Sequence, residues 1–140
     1  MIINFLIIIQ VKMMCAILLS INPIHVENIM NGTKGYEFRK KACKRPVDKI
    51  IIYSTNPIMR VVGEAEVEEV LIDNPEMIWK KTQKKSGIDK KFFDQYYEDR
   101  EQAVAYKLKN VIQYKEPKEL KEFGISSAPQ SFQYVKEDQL

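Results

Sequence analysis

The chain has 140 residues, with 22 Lys and Arg against 19 Asp and Glu and a net charge of +3. That length suits one domain, and so mild a positive balance does not by itself announce a nucleic-acid binder. With one histidine and two cysteines, Cys15 and Cys43, the chain offers no zinc-ligand spacing and no disulfide framework. No metal or cofactor is expected, and the expected compartment is a reducing cytoplasm.

Met1 to Ile9 is apolar except for Asn4, but Gln10 and Lys12 break the run. It falls short of the roughly 20 apolar residues that span a membrane, and no basic segment precedes it. Residues 1–12 therefore read as an N-terminal extension and 13–140 as the domain, with no membrane insertion. Cys15 to Ser20 predicts a buried strand, and Asn22-Pro23 opens a helix that runs to Met30 and closes at Asn31-Gly32. Tyr36 to Lys40 predicts a second strand, followed by a loop carrying Lys40, Lys41, Lys44 and Arg45. Asp48 to Ser54 is a third strand around the β-prone run Ile50-Ile51-Ile52-Tyr53. Arg60 to Ile72 is a fourth, with Val61, Gly63, Ala65, Val67 and Glu69 on one face and Val62, Glu64, Glu66 and Glu68 on the other.

Asn74-Pro75 opens a helix through Trp79, and Ser86-Gly87 breaks the pattern. Asp89 to Arg100 predicts another helix, with Phe92, Phe93, Tyr96 and Tyr97 on an aromatic face that suits a core. Ala103 to Tyr114 reads as a strand, Lys118 to Phe123 as a short helix closed by Gly124, and Ser131 to Val135 as a last strand. The order β-α-β-β-β-α-α-β-α-β lacks a βαβ rhythm and points to an α+β fold on a mostly antiparallel sheet.

One segment stands apart from this pattern. In the strand after Gly32, Tyr36 and Phe38 share one face and Glu37 and Arg39 the other. The aromatic pair suits a core; the charged pair faces something else. Gly32, Lys34, Glu37 and Arg39 form a G-x-K-x-x-E-x-R pattern that resembles the hallmark of the ASCH domain, a member of the PUA-like superfamily. Ile52 to Pro57, Val62 to Ala65 and Pro129 to Phe132 extend the resemblance, which covers residues 14 to 135. It implies a small, mostly antiparallel PUA-like β-barrel with flanking helices, and a cleft lined by the hallmark residues in a protein that acts close to RNA.

In that cleft Arg39 offers a planar fork for phosphate or a base edge, Lys34 a point charge, and Glu37 an acceptor. The plainer alternative is a structural Glu37–Arg39 ion pair that closes the barrel. Tyr53, Ser54, Thr55 and Asn56, at a strand end, and Gln130, Ser131 and Phe132 are expected to contribute to the same cleft, with turn hydrogen bonds and core packing as their alternatives. The lysine-rich segments Lys80 to Lys91 and Lys40 to Arg45 suit either a phosphate backbone or a solvated surface. Cys43, among lysines, is a reactive thiol or an inert one, and His25, without an acidic or serine partner in sequence, is not expected to be catalytic.

The expected function is an RNA- or nucleotide-binding module without catalysis. The alternative is a small hydrolase, either an amidohydrolase on N4-acetylcytidine-like modified nucleosides or a ribonuclease, that uses Lys34 with Glu37, Glu64 or Glu66. Related amidohydrolases carry threonine three residues after the lysine, where this chain has Glu37. A regulator of transcription or translation with a protein or DNA partner is a third reading, to which no residue speaks.

Overall fold

The computed structural model describes residues 14–140, so the extension assigned to residues 1–12 lies outside them. The elements are β1 (Ala16–Ile21), α1 (Pro23–Met30), β2 (Tyr36–Arg39), β3 (Lys49–Ser54), β4 (Arg60–Asp73), α2 (Pro75–Thr82), α3 (Lys90–Tyr96), β5 (Ala103–Lys118) and β6 (Phe132–Val135), with short 3-10 turns at Gln83–Lys85, Leu120–Phe123 and Glu137–Gln139. The strands form one sheet in the order β2-β5-β4-β3-β1-β6. Among the described residues only the β1–β3 pairing is parallel; the other four are antiparallel.

The sheet curls strongly. Three strands separate β2 from β1 in the order, yet Arg39 Nη2 at the end of β2 donates to Ser20 O of β1 at 3.0 Å. The edges β2 and β6 are not neighbours in that order, so the result is a half-barrel rather than a closed one. Inside the curl, Ile17, Leu19 and Ile21 of β1 and Ile50 and Ile52 of β3 pack on Val26 and Ile29 of α1 and on Val104 and Tyr106 of β5. The alternate residues Ala16, Leu18, Ile51 and Tyr53 face a second cluster with Phe123, Ile125 and Val135. Burial on both faces explains why β1 and β3 read as continuous apolar runs instead of alternating ones. A third cluster, Phe38, Ile78, Phe93, Tyr97, Ala103 and Ala105, seats α2 and α3 against β2 and β5.

Local chemistry sets the helix ends. Asn22 Oδ1 caps α1 by accepting from Ile24 N at 3.0 Å, with Pro23 in the first turn. Asn74 and Asp89 cap α2 and α3 in the same way. Gly32 ends α1 in a left-handed conformation, φ +84°, that other residues rarely adopt.

Three expectations need correction. The third helix stops at Tyr96, not Arg100, because Asp99 turns left-handed at φ 61°. Strand β5 runs past Tyr114 to Lys118, since it stays paired with β4 as far as Val61. Pro117 is tolerated because it lies beyond the residues that β2 covers, on an open edge. Register shifts interrupt β4 at three places, the last between Val67 and Glu69. The two-residue alternation is lost there, so Glu69 is exposed like Glu68 while Val70 and Leu71 pack on the core.

Candidate functional site

The turn after α1 aims Lys34 inward. Its backbone N donates to Asn28 O at 2.9 Å, and Gly35 N donates to Lys85 O at 2.8 Å, so the segment is pinned between α1 and the stretch after α2. That stretch folds over the lysine. Gly87, at φ +68°, lies so close that a Cβ there would meet Lys34 Cβ at 2.4 Å. Lys34 is 3% exposed, and Nζ donates to Ser86 O at 3.0 Å and lies 4.6 Å from the centre of the Phe38 ring. Burial is the main cause that lowers its pKa to about 8; Glu37 opposes the fall and the Arg39 charge adds to it.

Glu37 and Arg39 share a face of β2, as the strand alternation requires. Arg39 Nη2 and Nε both donate to Glu37 Oε2, at 2.6 and 3.2 Å. Since Nη2 also binds Ser20 O, Arg39 ties β2 to β1 across the curl. The Glu37–Arg39 ion pair is thus formed, although the barrel that it was expected to close stays open between β2 and β6. The same residues also line a cavity of about 160 Å³ with Lys34, Ser20, Ile21 and Asn22, roofed by His25 of α1 and by Ile88, Phe92 and Tyr96 on and before α3.

His25 and Phe92 are residues that the sequence reading passed over as site residues. His25 lies three and four residues from Asn22 and Ile29, on the helix face that turns toward the sheet, and this spacing was the available signal. It contacts Phe92 edge to face at 5.4 Å. Burial first, then the Lys34 charge, lowers its pKa, with Glu37 opposing the fall. The three aromatics of α3 and Tyr97 at its C-cap form two adjacent stripes. Phe93 and Tyr97 enter the core, where the Tyr97 hydroxyl donates to Arg39 O at 2.9 Å. Phe92 and Tyr96, four residues apart, face the cavity.

The other predicted residues lie elsewhere. Tyr53 is in the second core cluster. Ser54 is buried and lines a separate groove with Pro23, Val26, Met30 and Ile58. Thr55 N donates to Ile21 O at 3.0 Å, its carbonyl accepts from Ile58 N, and Asn56 is exposed in that turn. Gln130 and Ser131 are exposed, next to Pro129, whose carbonyl accepts from Ser20 Oγ at 2.7 Å. Both segments thus bond to wall residues, Ile21 and Ser20, without lining the cavity. Phe132 packs against the first core cluster.

Glu64 lies in a different cavity from Lys34, bound to Lys49 Nζ at 2.6 Å and to the Tyr114 hydroxyl at 2.9 Å. Desolvation pushes its pKa upward, but the Lys49 and Tyr114 bonds outweigh it and the net shift is downward. This is the wrong direction for a general base poised near neutrality. Glu66 accepts from Asn110 Nδ2. Burial raises the Cys43 thiol pKa, in the direction of the inert alternative rather than the reactive one. Among the lysine-rich residues, Lys80, Lys81 and Lys90 pair with Glu76, Asp73 and Asp94 on the surface. Lys40 Nζ sits 4.9 Å from the centre of the Tyr96 ring. Among the described residues no group of His, Cys, Asp and Glu is arranged to hold a metal, and no helix is long and apolar enough to cross a membrane.

A family described as a domain of unknown function (DUF365) matches residues 21–137. Over 121 residues, 86% of this chain, the sequence is 35% identical to the large ribosomal subunit protein uL22 of Ureaplasma parvum serovar 3 and 30% identical to that organism's ATP synthase subunit alpha. The matched region spans only 39% and 15% of those proteins. A protein of Zymomonas mobilis named an ASCH domain-containing ribonuclease is 26% identical over 93 residues, 66% of this chain and 63% of that one. The crystal structure of ASCH from Zymomonas mobilis superposes with a TM-score of 0.80 at 22% identity, over 89% of this chain and 90% of that one. The chain belongs to the DUF365 family, and its fold is the α+β, PUA-like half-barrel of the ASCH domain.

Proposed function

We propose that this domain binds RNA or a nucleotide through the cavity of Lys34, Glu37 and Arg39. The observation that carries the reading is the convergence of an ammonium and a guanidinium on one small cavity with a single carboxylate between them. Among the described residues Arg39 Nη1 and Glu37 Oε1 take no protein partner, which leaves a donor and an acceptor for a ligand. Lys40, over the ring of the lining residue Tyr96, adds a cation for phosphate. The ribonuclease name of the Zymomonas mobilis relative agrees with an RNA ligand.

Anisotropy of a labelled single-stranded RNA tests this. Two or three neutralised phosphates predict a loss of about tenfold in affinity between about 50 and 200 mM salt. Arg39→Lys, which keeps the charge but loses the fork, is expected to weaken binding by a similar factor. No binding at low salt, or unchanged affinity in Arg39→Lys, refutes the reading.

One observation favours hydrolysis as a second reading: the pKa of Lys34, about 8, suits a proton donor near neutral pH. Lys34 then protonates the leaving oxygen and Glu37 accepts the nucleophile's proton. RNA cleavage that is abolished in Lys34→Ala, with folding intact, distinguishes this reading from binding alone.

A further inference from the structure

The loop from Lys40 to Pro46 carries Lys40, Lys41, Lys44 and Arg45 and no acidic residue. Among the described residues none of these four cations is in an ion pair. A solvated run of charges needs no fixed shape, but this loop is held at three points. Lys40 Nζ lies over Tyr96, a wall residue of the cavity of Lys34, Glu37 and Arg39. Midway, Cys43 N donates to the Tyr106 hydroxyl at 3.4 Å. At the far end the Arg45 guanidinium lies 3.8 Å from the centre of the Tyr134 ring, and Arg45 N donates to the hydroxyl of the same tyrosine at 3.3 Å. Phe132 braces Tyr134 edge to face at 5.2 Å.

Arg45 and Tyr134 line a second depression, a groove of about 500 Å³, with Met14, Pro46, Lys136 and Glu137. Two cations therefore face one carboxylate there, and the volume lies within the roughly 300–1,000 Å³ of ligand sites. A guanidinium stacked on an aromatic ring keeps its in-plane N–H groups free for an anion. Fixing it before a ligand arrives reduces the ordering that binding must supply. Lys40 and Arg45 are five residues apart, so their Cα atoms are separated by at most about 18 Å. Lys41 and Lys44 are exposed between them.

We infer that a single-stranded RNA bound at the first cavity continues along this loop to the groove at Tyr134, with its phosphates on Lys41, Lys44 and Arg45. This rests on the RNA-binding reading above and adds a path and a second contact for the strand. The loop offers ammonium and guanidinium groups to the backbone, so this contact positions the strand without reading its sequence. A path of this length suits several nucleotides, toward the lower end of the roughly 4–16 that other single-strand sites cover.

The test is fluorescence anisotropy with two labelled oligouridines, one of about 3 nucleotides, shorter than such sites, and one of about 12. Both are titrated between about 50 and 200 mM salt. The wild-type protein is expected to bind the longer probe more tightly, with a log–log salt slope steeper by about 1.4, or two phosphates at about 0.7 each. Lys44→Ala combined with Arg45→Ala removes that extra slope, weakens the longer probe by about tenfold at low salt, and leaves the shorter one unchanged. Tyr134→Leu keeps every charge but releases Arg45; it weakens the longer probe severalfold and spares the shorter. Lys80→Ala combined with Lys81→Ala removes as much charge away from the loop and changes neither. Circular dichroism confirms that each variant is folded. Equal slopes for the two wild-type probes, or a loss in the Lys44 and Arg45 variant that the Lys80 and Lys81 variant reproduces, overturns the path and leaves RNA binding at the cavity standing. Absence of binding to either probe overturns RNA binding itself, and the path with it.

Discussion

Replacing Lys34 with methionine is expected to stabilise the protein at neutral pH. The lysine is 3% exposed, and its ammonium has one hydrogen bond, to Ser86 O, and one aromatic face, that of Phe38. Chiefly through burial, its pKa falls from 10.5 to about 8. At about 1.4 kcal/mol for each pH unit, holding that charge in the folded protein at pH 7 costs about 3 kcal/mol. Methionine keeps an unbranched stem that adapts to the same space, and leaves the Ser86 carbonyl unpaired at a cost of about 1–2 kcal/mol. The expected net gain is about 1–2 kcal/mol.

The pH dependence follows from the same shift. The unfolded chain keeps the proton up to 10.5, whereas the folded chain releases it near 8. Between these values the unfolded state binds more protons, so wild-type stability rises with pH through this window. Urea unfolding of both proteins at about pH 7 and about pH 9.5 should show wild type gaining about 2 kcal/mol relative to Lys34→Met. A variant less stable than wild type at pH 7 by more than about 1 kcal/mol, or a difference that does not change with pH, would refute the reasoning.

The Glu37–Arg39 pair, with side chains 8% and 15% exposed, should respond asymmetrically. Arg39→Ala leaves a shielded carboxylate without its hydrogen-bonded partner and is expected to cost about 3–5 kcal/mol in chemical denaturation, while Glu37→Leu combined with Arg39→Leu recovers most of it. An Arg39→Ala protein as stable as wild type would mean that water reaches the carboxylate freely. Gly87→Ala combines a left-handed backbone with a Cβ placed 2.4 Å from Lys34 Cβ. A loss of about 2–4 kcal/mol is expected, read as a lower melting temperature; no change would show that the segment over Lys34 moves aside without cost.

Much of the secondary structure was legible because local chemistry and tertiary packing agree. Asn22-Pro23, Asn74-Pro75 and Asp89 cap the helices where their side chains predict. The apolar runs of β1 and β3 are strands buried on both faces. The expectations that failed did so where pairing overrides local signals: β5 continues through Pro117 because β4 stays beside it, and the bulges of β4 reverse an alternation that sequence alone extends indefinitely.

The site divides in the same way. By itself the sequence determined that Glu37 and Arg39 share a strand face and that Lys34 precedes them on a tight turn, since alternation and a left-handed glycine are properties of a few consecutive residues. Only the tertiary structure decided what stands opposite them. The curl of the sheet brings Ser20 to Arg39, the segment around Gly87 closes over Lys34, and α1 and α3 carry His25 and Phe92 into the cavity. Tyr53 goes to a core cluster and Ser54 to a separate groove. These contacts join residues dozens of positions apart, and no local periodicity encodes the sheet curvature and helix docking that create them.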